Sequence, residues 1–205
     1  MRSSPLKNPD RRRWLGAVGC AAALSAAGAL GSRTAAAADR ARASGSSRVL
    51  VLYFTWAGSA KTVAEEIHRL LGGDIARLEP QEPYPAEYRA TVDRAKVERE
   101  SGLRPALKSG LPDAARYDVI VIGYPIWSGD MPQAVLGFVE SQDWRGKTVA
   151  HFTTHGGSGL GRSHDTLRRL QPGARLTEPL AVYGWGGVRD LSSASKWLRH
   201  IGLLR

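Results

Sequence analysis

Three short segments hold the residue types that could do chemistry. They are built from glycine, hydroxyl and aromatic residues more than from charges. The first is Thr55-Trp56-Ala57-Gly58-Ser59-Ala60-Lys61-Thr62, between an apolar run and a helical period. Gly58 permits a tight turn, and the free N–H groups and dipole of a helix start suit a phosphate. The segment is neither a Walker loop nor a G-x-G-x-x-G fingerprint, so ATP and dinucleotides are not the first choice. An ordinary strand-to-helix turn has the same composition, and the loop alone does not separate the two readings. The second segment is Gly123-Tyr124-Pro125-Ile126-Trp127-Ser128-Gly129-Asp130-Met131-Pro132. Aromatic and apolar residues at an exposed strand end need a cover, which a flat ring stacked on Trp127 would supply. A Trp127 that plugs the core is the competing reading. The third, Thr153-Thr154-His155-Gly156-Gly157-Ser158-Gly159-Leu160-Gly161, has four glycines among its last six residues, which lets backbone approach a ligand closely. His155 could donate a hydrogen bond or act as an acid, although a lone loop histidine is more often structural. Ser158 lacks the strand–G-x-S-x-G–helix register. No recognisable acid accompanies it with His155 or His164, so a serine hydrolase is not favoured.

Composition narrows the classes further. One cysteine in 205 residues excludes an internal disulfide framework and a Cys-based zinc site. Hydrophobic residues at 42% exclude a wholly disordered chain. The net charge of +10 divides evenly between residues 1–38 and the remainder. The second part has 23 basic and 18 acidic side chains without a basic run or stripe, so nucleic acid is not an expected partner.

Residues 1–38 read as an address. Arg11-Arg12-Arg13 precede Trp14-Leu15, an Ala/Gly/Leu stretch follows to Leu30, and Ala35–Ala38 offers a small-residue cleavage site. The paired arginines resemble a twin-arginine signal. The apolar stretch is too weak for a permanent transmembrane helix, so no stable membrane anchor is expected once the signal is removed. Cys20 lies too soon after the arginines for a lipoprotein site. Cleavage near Ala38 leaves no cysteine and excludes thiol catalysis. Residues 39–47 read as a flexible leader, and the expected location is outside the cytoplasm, periplasmic or extracellular.

The elements that must position the three loops alternate in period. Val49–Phe54 is a continuous apolar run, as a central parallel strand requires. Val63, Ala64, Ile67, Leu70 and Leu71 recur at helical spacing before Gly72-Gly73. Strands are expected at Asp74–Leu78, Val119–Ile122, Thr148–Phe152 and Leu180–Tyr183. Helices are expected at Ala86–Glu100, Met131–Val139, Ser163–Leu170 and Ser192–Ile201. Five strands alternating with helices imply an α/β, doubly wound parallel sheet over residues 48–205. Ligands of such sheets bind beyond the carboxyl ends of the strands, where the three loops fall.

Taken together, Tyr53–Ser59, Tyr117–Trp127, Gly146–Thr148 and Phe152–Gly161 resemble the flavodoxin family. The branch they are most similar to has a G-Y-P-I-W-W-G loop and a T-H-G-G-S-G-x-G loop, and Tyr84-Pro85-Ala86-Glu87-Tyr88 resembles it too. The resemblance runs from about Arg48 to the carboxyl end. It implies a flavodoxin-like five-stranded sheet of order 2-1-3-4-5, with FMN at the switch point between strands 1 and 3. It also assigns residues. Thr55, Gly58, Ser59 and Ala60 fall on the phosphate loop. Pro125, Ile126, Trp127 and Ser128 fall on one ring-contacting loop, and Thr154, His155, Gly156, Gly157 and Gly159 on the other. Trp127 is the stacking candidate, and backbone groups around Gly129 the candidates for tuning the flavin N5.

This sequence departs from the family pattern at Ala57 and Ala60, where hydroxyls are usual, at Ser59 in place of Asn, and at Ser128 in place of a second Trp. Each hydrogen bond lost to a charged group costs roughly 1.5–3 kcal/mol, which Lys61 or Thr62 could offset. The expected function is FMN-dependent electron transfer or reduction outside the cytoplasm. The redox partner is a protein or a small-molecule acceptor such as a quinone, since NAD(P)H is not expected there. The alternative is a flavin-free binding module on the same fold.

Overall fold

A computed structural model describes residues 47–205. The expected signal segment and all but the last residue of its leader lie outside the described residues. β1 (Val49–Tyr53) is apolar throughout and buried from Leu50 onward, as befits a strand covered on both faces. It pairs in parallel with β2 (Asp74–Arg77) on one side and β3 (Val119–Pro125) on the other, Leu50 facing Asp74 and Ile120. β3 pairs in parallel with β4 (Thr148–His155). Beyond β4 lie β5 (Arg175–Leu176) and β6 (Leu180–Tyr183), on consecutive stretches of its edge. The sheet order is therefore 2-1-3-4-5, with the fifth position shared by two short strands.

That division was not expected. The Thr177 amide still reaches the Val149 carbonyl at 3.0 Å. Pro179 then has no N–H to offer, and the Glu178 carbonyl accepts from Trp197 Nε1 at 2.8 Å. The edge strand breaks where its ladder groups are missing or engaged elsewhere.

Five helices cover the two faces among the described residues: α1 (Ser59–Leu71), α2 (Tyr88–Ser101), α3 (Gln133–Glu140), α4 (Ser163–Leu170) and α5 (Ser192–His200). One face buries Val51, Val121, Ala150 and Phe152 against Val63 and Ile67 of α1 and Trp197 and Leu198 of α5. The other buries Leu50, Leu52, Ile120 and Ile122 against Val135 and Val139 of α3, Leu167 of α4 and Trp144. α2 begins two residues later than expected because Glu87 caps it, its carboxylate accepting from the Arg89 and Ala90 amides at 2.8 and 2.6 Å. Of its own residues only Thr91 and Glu98 are buried.

Candidate functional site

The loop between β1 and α1 ends at Gly58, whose φ of 93° only glycine adopts readily. The Gly58 amide donates to Thr55 Oγ1 at 3.0 Å, which folds the loop back on itself. No side chain caps α1 and no acidic residue stands in its first turn. The opening N–H groups of a 13-residue helix are thus left for an external acceptor. Thr55, Trp56, Ala57, Ser59 and Ala60 line the adjoining cavity. The Ser59 hydroxyl, however, donates to the Gly184 carbonyl at 2.9 Å. Lys61 pairs with Glu65 at 2.7 Å, and the Thr62 hydroxyl bonds to the Gly58 carbonyl at 3.3 Å. Neither lines the cavity, so the expected compensation does not come from them.

In the loop after β3, Pro125, Ile126 and Trp127 line the same cavity. Trp127 and Asp130 then exchange backbone hydrogen bonds of 2.8 and 3.1 Å across a two-residue turn. Its central residues, Ser128 and Gly129, have φ of 51° and 81°, the positive values such a turn demands. Neither is a lining residue. The Gly129 carbonyl accepts the Arg162 amide at 2.8 Å, so it is engaged with the protein. Trp127 also meets Phe54 and Tyr84 edge-on, at centroid distances of 5.5 and 4.9 Å, so the indole packs on the core while bordering the cavity. The Asp130 carboxylate accepts from the Met131 amide and the Thr166 hydroxyl, each at 2.8 Å, which ties this loop to α4.

The loop after β4 contributes Thr154, His155, Gly156, Gly157 and Ser158. It is joined to the previous loop by the Ile126 amide on the Thr154 carbonyl, at 2.9 Å. His155 Nδ1 accepts the Gly157 amide at 3.1 Å, which leaves its proton on Nε2 when the ring is neutral. Gly159 does not line the cavity; its carbonyl accepts the Thr153 hydroxyl at 3.4 Å. His164 bonds to His151 and Arg168, at 2.9 and 2.8 Å, and forms no pair with Ser158.

A fourth segment completes the wall. Gly184, Trp185, Gly186 and Gly187 follow β6, and Tyr88 comes from the start of α2. Trp185 is 64% exposed and Tyr88 55%, with rings perpendicular at 5.9 Å. Trp56 stands 6.0 Å from Tyr88 and donates its Nε1–H to the Pro85 carbonyl at 2.8 Å. A side chain at Gly156 would meet the Trp185 indole, and one at Gly184 would press on Ser59 and Thr154. The strand-end rule points to this G-W-G-G segment as readily as to the other three loops, and its exposed tryptophan was the available signal.

The cavity has a volume of about 1060 Å³, at the upper end of the range for small-molecule sites. Among the described residues no Lys, Arg, Asp or Glu lines it; its polarity comes from backbone, hydroxyls and His155. A smaller one, about 460 Å³, shares Trp185 and Gly187 and is otherwise lined by β6 and the chain into α5.

The family model described as Flavodoxin matches residues 48–197. The fold is similar to that of a protein assigned as a flavoprotein from Bacteroides eggerthii DSM 20697. The identity is 33%, covering 76% of this chain and 98% of that one, with a TM-score of 0.66. A second, from Bacteroides uniformis ATCC 8492, is 30% identical, covering 75% and 98%, with a TM-score of 0.66. A flavoprotein from Lactobacillus acidophilus NCFM, solved in complex with FMN, shares the fold at 24% identity, covering 74% and 99%, with a TM-score of 0.57. No curated protein matches. A 2-1-3-4-5 sheet whose loops converge at the strand ends, matched by the family model over most of the described chain, makes this a member of the flavodoxin family.

Proposed function

We propose that the cavity binds flavin mononucleotide and that the protein passes electrons through it. One observation carries this reading: the uncapped, acid-free start of α1 opens on a large cavity walled by aromatic rings and backbone. The amides at Ser59 and Ala60 would hold the phosphate, with the helix dipole behind them. Gly156 and the Gly157 carbonyl offer backbone groups to a ring, and Trp127, Trp56, Tyr88 and Trp185 offer apolar faces. Bound flavin would supply one- or two-electron chemistry, while the protein binds, orients and shields it.

The lining supports one partner class over another. A nicotinamide dinucleotide is not expected outside the cytoplasm, and among the described lining residues no Lys or Arg offers its additional phosphate charge a cation. An uncharged ring acceptor such as a quinone, or a redox protein docking over Tyr88 and Trp185, fits better. The signal-like residues 1–38 support export to the periplasm or beyond. The flavin-free binding module retains one observation in its favour: the Ser59 hydroxyl is engaged by the Gly184 carbonyl.

Titration of FMN with the purified protein separates the two, read as quenching of flavin fluorescence. Saturable quenching at low micromolar protein is expected. Flavin that stays free at high micromolar protein overturns the reading in favour of the binding module.

A further inference from the structure

A line of polar side chains crosses the core on the α4 side and takes no part in lining the cavity. Tyr124 of β3 and His151 of β4 are fully buried. The Tyr124 hydroxyl is 3.1 Å from His151 Nδ1, and His151 Nε2 is 2.9 Å from Nδ1 of His164 on α4. Arg168, one turn further, places Nη2 2.8 Å from His164 Nε2. The planes of the three rings are nearly parallel, neighbours differing by 9° and 17°.

The proton positions follow by elimination. A guanidinium has only donors, so His164 Nε2 must accept. The His164 proton then sits on Nδ1 and is donated to His151 Nε2. The His151 proton sits on its own Nδ1 and is donated to the Tyr124 oxygen. At the start of α4 the Ser163 hydroxyl donates to the Leu160 carbonyl at 2.7 Å. One cation at the helix surface sets both tautomers, and the chain ends on the Tyr124 hydroxyl.

Such a chain has no place for an extra proton. Charging His164 sets an Nε2–H against the Arg168 N–H. Charging His151 sets an Nε2–H against the His164 Nδ1–H. Burial and the neighbouring His164 push His151 down to about 3. Burial, then the Arg168 cation, lowers His164, against a smaller opposing pull from Asp165. The other charged groups on this side are Asp130, which faces Tyr124, and Arg162, 3.9 Å from Asp130.

The start of α4 also holds two cavity loops. The Arg162 amide holds the Gly129 carbonyl, the Ser163 hydroxyl holds Leu160, and the Thr166 hydroxyl holds Asp130. We propose that the Tyr124–His151–His164–Arg168 chain is a proton-sensitive latch: proton uptake by the histidine pair undocks α4 and loosens the loops that grip the ligand. The ligand arm of the test rests on the flavin reading; the latch itself does not.

Two measurements test it, each compared between about pH 7.5 and about pH 5, across the ordinary histidine range. Amide hydrogen exchange of α4 in the flavin-free protein, corrected for the intrinsic pH dependence, should lose about tenfold protection at the acid end. FMN affinity should fall more steeply in the wild-type protein than in His164→Gln, whose amide keeps the donor-acceptor direction but cannot titrate. The phosphate of FMN titrates alike in both, so the difference between the curves belongs to the latch. Arg168→Met, at an exposed position, provides a second variant. A charged His164 no longer meets a cation there, so acid loosening should shrink, and nitrogen NMR should show loss of the enforced Nδ1–H tautomer. Flat exchange protection in the wild type, or an equal acid loss in both variants, overturns the latch. Failure of FMN to bind at the higher pH overturns the flavin reading instead, and the exchange arm then decides the latch alone.

Discussion

Ser59 stands where the family pattern puts a ligand-binding side chain, yet its hydroxyl holds the Gly184 carbonyl. It acts on the site by holding the Trp185 loop. Ser59→Ala removes one neutral hydrogen bond, worth about 0.5–1.5 kcal/mol. FMN affinity should weaken by about two- to tenfold in a fluorescence titration, a loss expressed through loop order. Trp185→Ala gives the complementary result. The side chain is exposed, so the urea midpoint should move by less than about 0.5 kcal/mol in stability. Ring stacking is worth about 0.5–1.5 kcal/mol, so ligand affinity should again fall by about two- to tenfold. Unchanged affinity in both variants would remove the Gly184–Gly187 segment from the site.

Two elements depend on single residues that no helix or strand propensity singles out. Gly123 in β3 pairs with Phe152 in β4, and the Phe152 ring occupies the space a side chain at Gly123 would need. Gly123→Ala should therefore overpack the α1–α5 face and cost about 1–3 kcal/mol, read from chemical denaturation. On the other face, Glu98 is buried on the otherwise solvated α2. It accepts from Tyr84 Oη at 2.6 Å and pairs with Arg94 at 2.8 Å, while the Arg94 guanidinium lies 4.3 Å over the Tyr84 ring. Burial, then the Glu98 carboxylate, raises the Tyr84 phenol above its ordinary value. Glu98→Ala strands the Tyr84 hydroxyl and removes one partner of Arg94, which keeps the Pro83 and Glu82 carbonyls, and should cost about 1–3 kcal/mol, with a matching loss of Tm. Tyr84 is also one of the rings behind Trp127, so the same variant should loosen the ligand site.

At the scale of the molecule, pH and net charge are the controlling variables. His151 is buried neutral with its folded pKa pushed down to about 3, below the ordinary value of 6.5. A lowered folded value means that the unfolded chain binds more protons between those limits. The stabilisation is fully present above about pH 6.5 and drains as pH falls toward 3, by up to about 1.4 kcal/mol per pH unit. Urea midpoints measured down this range should fall accordingly, and His151→Gln should reduce the slope; a slope that is unchanged would contradict the assignment. Residues 39–205 have 23 basic and 18 acidic side chains. A net positive domain favours added electrons on a bound flavin, so its lower potential should be less negative than that of an acidic flavodoxin. A redox titration checks this.

The linear order of residues was enough for the parallel sheet and for three of the loops at its carboxyl edge. Apolar runs, helical spacing and clustered glycines are local signals, and a doubly wound sheet leaves few ways to assemble them. Gly58 was likewise readable as a tight turn at a helix start, because the opening amides of a helix have no partner within it. Where the Ser59 hydroxyl points, whether Trp127 serves the core or the cavity, and which loop brings Trp185 over Gly156 were decided only in three dimensions. Each depends on partners far away in sequence: Gly184 for Ser59, Tyr84 for Trp127, and Tyr88 for Trp185. The same holds for the buried histidines. Local pattern marks His151 as one residue of a strand, while its tautomer is set from another element by Arg168, because donors and acceptors are matched by distance and not by position along the chain.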